Sequence, residues 1–536
     1  MNTIAAARYR RGPAAALALA LSVLAFLCGC AGLPHTGHGP PSMALPADAN
    51  SALARLAAQA SPDPELSGFR LMPSGPFALD ARLELIRRAE RSLDVQYYQI
   101  ENDETGRFLL RQLRDAASRG VRVRLLIDDL YTAGDEALWL GLAVHAGIEV
   151  RLFNPFTAGR AHLATRLLGA LFDFERVNRR MHNKLMIADG ALAVAGGRNI
   201  ANRYFRRTAG ENFIDLDTFV AGAVIPRLAR LFDQYWNSPY VYPIQTIAAG
   251  GQPREVLQQQ FDRLTAPDRA PPPTPPPPND VLGYGPIRDD LAAGRLALIW
   301  TTAEVYADSP DRVIGRTVTY GGVPLLDVEA VRYNVVEQMR RAQSEIAIAS
   351  PYFIPGEVGL EVLSGIRRKG VLVSVVTSSL AATDEPLVHT GYRRYREDML
   401  ALGVELYELS SNRARRSLRL GVFGTEIGRL HLKTAVIDRR ALFVGSMNFD
   451  PRSKYHNTEI GLIVFSPEMA QQVLKLIDLL KQQGSYRLRI GAPSGRLEWV
   501  SDESDGEAVV DSEPDTGFWT RLLLELMAPL TPESLL

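Results

Sequence analysis

Along most of the chain, short apolar runs alternate with longer stretches in which apolar residues recur at helical spacing. Arg88–Arg91 reads as a helix end leading into a strand at Ser92–Tyr98. A helix from about Gly106 to Ser118 and a strand over Val121–Ile127 are predicted next. The same order returns later: Arg341-Ala342-Gln343 leads into a strand over Ile346–Phe353, then a helix around Val358–Arg368, then a strand over Val371–Val376. Several of these strands are near-continuous apolar runs, as expected when helices cover both faces of a sheet. The pattern predicts an α/β fold made of two pseudo-symmetric α/β sandwich halves in one chain, since an internal repeat of this size decides the fold class.

Within the repeat, one polar segment is written twice. His182-Asn183-Lys184 is followed by Asp189 and then by Gly196-Gly197-Arg198-Asn199, while His431-Leu432-Lys433 is followed by Asp438 and then by Gly445-Ser446-Met447-Asn448. The chain has 8 histidines, and two of them stand at corresponding places in matched segments. In an extended strand, residues two apart point the same way, so each histidine shares a face with its lysine. Asp189-Gly190 is a strong hairpin signal that returns Leu192–Ala195 antiparallel. Asp438-Arg439-Arg440 lacks a glycine and signals its hairpin more weakly, although Ala441–Val444 returns the same way. Glycine ahead of the asparagine suggests a close backbone approach to a ligand.

This doubled pattern resembles that of the phospholipase D superfamily, whose two HKD motifs meet at a pseudo-twofold axis to form one active site. The resemblance implies catalytic roles for His182, Lys184, Asp189, His431, Lys433 and Asp438. One histidine attacks phosphorus, and the other protonates the leaving alcohol and then activates the acceptor. By analogy, His182 is assigned as nucleophile and His431 as acid and base, work suited to a side chain whose ordinary pKa is roughly 6.5. Lys184, Lys433, Asn199 and Asn448 would stabilise charge on the phosphoryl oxygens, so no metal or other cofactor is expected. Asp189 and Asp438 are expected to hold the hairpins in shape rather than move protons. A carboxylate usually orients such a histidine. Glu459 stands where relatives place it after His431, and Asp217 is the candidate in the first half, with Asp215 kept as its alternative.

Further segments, Leu152–Phe156, Asn178–Lys184, Ser379–Tyr392, Gly403–Leu409 and Asn448–Ser453, resemble the cardiolipin synthase branch of the superfamily. That likeness implies transfer of a phosphatidyl group between two phospholipids in a membrane, with phosphatidylethanolamine as donor and phosphatidylglycerol as acceptor. His389 and Tyr392 would line a headgroup pocket. A hydrolase releasing phosphatidic acid carries the same motifs and is the second reading, and a superfamily nuclease is the third. Formal charge is balanced, with 60 basic and 60 acidic residues. The basic excess that suits a nucleic-acid backbone is absent, so no nucleic-acid partner is expected; an accessory protein remains open.

Composition sets the expected boundaries. Residues 1–30 read as a signal peptide: Arg8, Arg10 and Arg11 precede an apolar run too short to span a bilayer comfortably, ending in a lipobox-like Leu27-Cys28-Gly29-Cys30-Ala31. Cys30 would be lipidated, giving a bacterial lipoprotein facing the periplasm, the outer membrane favoured and peripheral attachment to the inner membrane as runner-up. Residues 31–63 read as a flexible tether, 64–245 as the first half, and 246–298 as a connector whose Pro271–Pro278 run suits extended polyproline II. Residues 299–490 read as the second half and 491–536 as a tail. The tail holds an apolar helix at Gly517–Met527 that either docks on the body or lies in a membrane interface.

Overall fold

The computed structural model describes residue 33 and residues 37–157, 159–170, 173–210, 212–248, 251–315, 319–320, 323–324, 330–416, 427–503, 506–533 and 536. The signal segment and Cys30 lie outside the described residues.

The strands of the first half are β1 (Ser67–Met72), β2 (Ser92–Tyr97), β3 (Arg122–Asp128), β4 (Ile148–Phe153), β5 (Leu185–Ala188), β6 (Leu192–Gly196), β7 (Asn212–Ile214), β8 (Asp217–Gly222), β9 (Val241–Pro243) and β10 (Ile299–Thr301). After them come β11 (Ala303–Ala307) and a small hairpin of β12 (Thr319–Tyr320) and β13 (Val323–Pro324). The second half continues with β14 (Glu345–Ala349), β15 (Leu372–Ser378), β16 (Glu405–Leu409), β17 (Ile427–Leu430), β18 (Thr434–Ile437), β19 (Ala441–Gly445) and β20 (Ile460–Val464). It closes with β21 (Ser485–Ile490), β22 (Leu497–Glu503) and β23 (Gly506–Val510).

The repeat predicted from the sequence is realised strand for strand. One sheet runs β10-β1-β8-β6-β5-β2-β3-β4-β9 and the other β11-β20-β19-β18-β14-β15-β16-β21-β22-β23. The stretch from β1 to β9 and the stretch from β11 to β21 match in order and in every parallel or antiparallel pairing. Within the two large sheets, the β2-β3-β4 and β14-β15-β16 ladders are parallel, each joined by crossover helices such as Glu104–Ser118 and Gly356–Arg368. Both sheets are therefore mixed, with their outer faces covered by helices.

The central core lies between the two sheets. Leu71, Ile187 and Val220 of the first meet Val305, Val436 and Leu462 of the second, and the helices Ile225–Trp236 and Pro467–Leu479 pack in the same layer. Since Leu185 and Ile187 face this layer while Met186 and Ala188 face the outer core, β5 is apolar on both sides.

Both motif hairpins turn through two residues with positive φ: Asp189 at 52° and Gly190 at 62°, Asp438 at 53° and Arg439 at 55°. The second turn thus takes the same left-handed geometry without glycine, at a conformational cost that aspartate bears better than most residues. Each aspartate also ties its hairpin to the start of the central strand. Asp189 accepts from the backbone N–H groups of Glu90, Arg91 (2.8 Å) and Ser92 (3.0 Å), and Asp438 from those of Gln343, Ser344 (2.7 Å) and Glu345 (3.1 Å).

Two segments expected to be loose are fastened to the first half. In the expected tether, the backbone N–H of Ala44 donates to Asp233 at 2.9 Å, Arg124 donates to Ser42 O, and Ala52–Ala60 is a helix. In the expected connector, the helix Arg254–Leu264 buries Leu257 and Phe261, and Arg111 holds the Thr265 and Ala270 carbonyls. The helix Ile287–Ala292 buries Ile287 and Leu291, and β10 joins the first sheet, so the passage between sheets is the single step from Thr301 to Ala303. Main-chain carbonyls accepting from arginine fix segments whose composition alone suggests spacers.

The aspartates differ in exposure: Asp189 is buried, whereas Asp438 is partly open to solvent. Asp189→Ala should therefore destabilise the fold by about 2–3 kcal/mol, the scale for hydrogen bonds to a buried charge. Asp438→Ala should cost less, and urea unfolding of the two variants reads the difference.

Candidate active site

The two H-x-K segments stand just ahead of β5 and β18, outside the ladders. The backbone N–H of His182 donates to Thr458 O at 2.8 Å, and that of His431 donates to Ile214 O at 2.7 Å. These are equivalent contacts, each reaching from one half into the other, and the parallel pairing of β7 with β17 extends the second. Each lysine curls back on its histidine: Lys184 Nζ donates to His182 O at 2.6 Å and Lys433 Nζ to His431 O at 2.7 Å. The shared face expected from strand alternation thus becomes a short loop that places both ammonium groups beside the imidazoles.

The orienting carboxylates are exchanged between halves. His182 Nδ1 lies 2.9 Å from Glu459 Oε2, and His431 Nδ1 lies 2.6 Å from Asp215 Oδ2. This leaves Nε2 of each ring for chemistry. Both imidazoles are largely buried, with Tyr98 edge-on to His182 at 4.9 Å and Tyr204 and Phe213 packed on His431 at 5.1 and 5.0 Å.

Asp217 does not touch a histidine. It opens β8 opposite Gly196 and is neutralised by Arg82 at 3.0 Å and Arg198 at 3.2 Å. Its counterpart in the second half is Gly461, which faces Gly445. The segments therefore align as Ile214-Asp215 with Thr458-Glu459, two residues from the spacing read in the sequence. Glu459, expected behind His431, stands behind His182 instead. Gly197 makes room for protein rather than ligand, since a Cβ there would sit 2.1 Å from Asp215 Oδ1.

Asn199 donates from Nδ2 to the Tyr204 hydroxyl at 3.0 Å. The amide oxygens of Asn199 and Asn448 are buried without a hydrogen-bond partner, spare polar capacity of the kind a ligand satisfies. Asp189 and Asp438, at the far ends of β5 and β18, hold hairpins rather than the reacting groups. His389 and Tyr392 do not line a pocket at the histidines. His389 Nε2 bonds Arg396 at 2.7 Å, Arg396 pairs with Glu408 and Glu513, and Tyr392 is packed in the outer core of the second half. Two serines escaped the sequence reading: Ser446 and Ser453 (2.9 Å) both donate to Glu459. The departure of Ser446 from Gly197, its counterpart in the first tail, was the available signal.

The two halves are electrostatically unequal. Burial, then the charges of Lys184 and Lys433, push His182 well below the ordinary histidine value. Burial and Lys433 lower His431 as well, but Asp215 works against them. Burial alone would raise Asp215, yet His431, through charge and hydrogen bond, and Lys433 outweigh it and hold the carboxyl low. Glu459 is pushed up to about 7 by burial, despite Lys184 and its two serine donors. Burial lowers both lysines, against the raising pull of Glu459 and Asp215, which act on each of them. Such a site suits a phosphodiester, flanked by one imidazole kept neutral and one paired with an ionised carboxylate.

A family model described as "Cardiolipin synthase, PLD-like domain" matches residues 83–236 and 335–480. Cardiolipin synthase C of Escherichia coli (strain K12) is 37% identical over 472 residues, covering 86% of this chain and 94% of that protein. A cardiolipin synthase of Staphylococcus aureus (strain Mu50 / ATCC 700699) is 24% identical over 405 residues, covering 75% of this chain and 65% of the relative. Among solved structures, phosphatidylserine synthase of Haemophilus influenzae Rd KW20 superposes with a TM-score of 0.55 at 13% identity, over 90% of this chain and 100% of that one, a likeness of fold. The chain belongs to the cardiolipin synthase family of phospholipase D-like proteins. It is a phospholipid phosphatidyltransferase of that family.

Asp215 raises the pKa of His431, so its negative charge favours the protonated imidazole. Asp215→Asn removes that charge, and His431 then loses its proton at lower pH. If His431 is the acid, the alkaline limb of the kcat/KM profile should move to lower pH in Asp215→Asn. Asp217→Asn should weaken the fold through Arg82 and Arg198 and leave that limb in place.

Proposed function

We propose that this protein forms cardiolipin by moving a phosphatidyl group from phosphatidylethanolamine onto phosphatidylglycerol through a phosphatidyl-histidine intermediate. The observation that carries this reading is the pair of imidazoles oriented by carboxylates from opposite halves, one carboxyl pushed up by burial and the other held down by its histidine. His182, kept neutral, attacks phosphorus through Nε2, and the phosphorus–oxygen bond to ethanolamine breaks. His431 gives its proton to the departing oxygen. It then takes the proton of the glycerol hydroxyl of the acceptor, which attacks phosphorus and releases His182. Lys184 and Lys433 stabilise the charge gathered on the phosphoryl oxygens between these steps.

Burial supports transfer over hydrolysis. The His182 and His431 side chains are each 8% exposed and rimmed by Tyr98, Tyr204 and Phe213, a poor path for bulk water. Among the described residues, no group of three or more His, Cys, Asp or Glu is placed to hold a metal ion, and no helix is long and apolar enough to cross a membrane. Membrane association is part of the proposal, with a lipid on Cys30 holding the site on the periplasmic side.

Purified protein given vesicles of phosphatidylethanolamine and phosphatidylglycerol should yield cardiolipin, read by mass spectrometry, only when both lipids are present. His182→Ala should lower the rate by at least about 10³-fold, and Lys184→Ala by about 10²–10³-fold, both with unchanged melting behaviour. Phosphatidic acid as sole product would replace the transferase reading with the hydrolase. Product from phosphatidylglycerol alone would overturn the assignment of the donor, and product restored only by a cell extract would reveal an accessory protein.

A further inference from the structure

The helix Phe518–Met527 near the carboxyl end is mounted with its apolar side outward. At 3.6 residues per turn, Phe518, Leu522, Leu526, Trp519, Leu523 and Met527 sweep an arc of about 180°. All six are exposed, Trp519 at 77%, Leu526 at 66% and Phe518 at 62%. The opposite side does the holding. Leu524 is buried, Glu525 pairs with Arg393, and Arg394 donates to Ala528 O and Thr531 O just beyond the helix. A solvated helix turns its apolar arc inward, and a patch of this kind marks a surface made to be covered.

We propose that this helix seats the protein on a phospholipid bilayer, its apolar arc sunk into the headgroup region and its axis along the surface. At 10 residues it is far too short to span a bilayer but has the form of an interfacial helix, with Phe518 and Trp519 as the aromatic anchors such helices use. The chain beyond the helix also reaches a cavity beside the second motif tail. The segment that follows it reaches Glu533, which accepts from the Tyr395 hydroxyl at 2.6 Å. Glu533 and Tyr395 line one part of a cavity of about 400 Å³ whose other lining includes Phe353, Ile354, Met447 and Asn448, the asparagine of the second motif tail. Arg332 and Lys454 line the same cavity together with Glu357 and Asp450, so charges of both signs border its apolar wall. An apolar wall bordered by polar and charged groups suits a phospholipid, whose acyl chain and headgroup need both, and phospholipid is the substrate class of the family to which the chain belongs. The helix therefore meets a phospholipid bilayer rather than a second copy of the chain. The inference rests on the proposed phospholipid reaction for its purpose, but not for its test.

Full-length protein carrying His182→Ala removes turnover from the measurement. The emission of Trp519 is obtained as the difference between this protein and the same protein with Trp519→Phe. With vesicles of phosphatidylethanolamine and phosphatidylglycerol carrying brominated acyl chains, that emission should shift to the blue and be quenched. Replacing Leu522, Leu523 and Leu526 together by serine, all at exposed positions, should abolish the shift and the quenching with the circular dichroism unchanged. In the protein with His182 intact, the same triple change should lower turnover on vesicles while sparing a monomeric short-chain phospholipid. A Trp519 emission that stays red-shifted and unquenched on vesicles would overturn the proposal. So would an emission already blue without lipid that reddens on dilution, which would show a second copy covering the face. Membrane seating without any cardiolipin product would keep this proposal and refute the reaction.

Discussion

The candidate active site depends on an exchange of carboxylates between halves: Glu459 behind His182 and Asp215 behind His431. A buried imidazole that must turn over protons needs its remote nitrogen engaged, or its tautomer and orientation drift. Here neither half meets that need internally. The backbone contacts from His182 to Thr458 and from His431 to Ile214 run alongside, so each histidine and the carboxylate that serves it are fixed by the same short stretch of partner chain. The central core between the sheets brings these stretches together, and loosening it anywhere along Leu71, Val220, Val436 or Leu462 would loosen the chemistry too.

The frame is symmetric and the charges are not. Ser446 stands where the first tail has Gly197, and a glutamate stands where the other half has an aspartate. These two changes, with Ser453 as a second donor, give Glu459 hydrogen bonds from serine and leave Asp215 pressed against a backbone with no side chain. One carboxyl is pushed up by burial and the other is held down by its histidine and Lys433. Two near-copies of one motif thereby set their imidazoles against carboxyls of unequal acidity.

The two-half α/β fold was legible because local apolar patterning and the order of elements repeat, and local patterning is what a sequence displays. The motif hairpins were legible for the same reason, even where Arg439 replaces the glycine. The carboxylates were not, because their partners lie in the other half and no spacing within one half encodes a contact across an interface. Asp215 and Asp217 are two apart and look alike in sequence. Only the bridging of Ile214 to His431, and the arginines gathered on Asp217, separate an orienting group from a structural ion pair. Composition misled at residues 37–60 and 251–298, where prolines, glycines and glutamines suggested freedom. Arginine side chains reaching for backbone carbonyls, invisible to a hydropathy pattern, hold both segments down. His389 sits in a polar network closed by Glu513, which comes from the far end of the chain.

The exchanged carboxylates also bear on how such a chain can have arisen. A half with a single motif can complete a histidine–carboxylate pair only against another copy of itself, so the minimal ancestor of this architecture is a self-associating half rather than a solitary one. Joining two copies in one polypeptide keeps the pairing and removes the obligation of sameness. Each copy then evolves against a partner it can no longer lose, and the serine, the glutamate and the docked carboxyl-terminal helix of the second half are differences that identical subunits could not have held on one side alone.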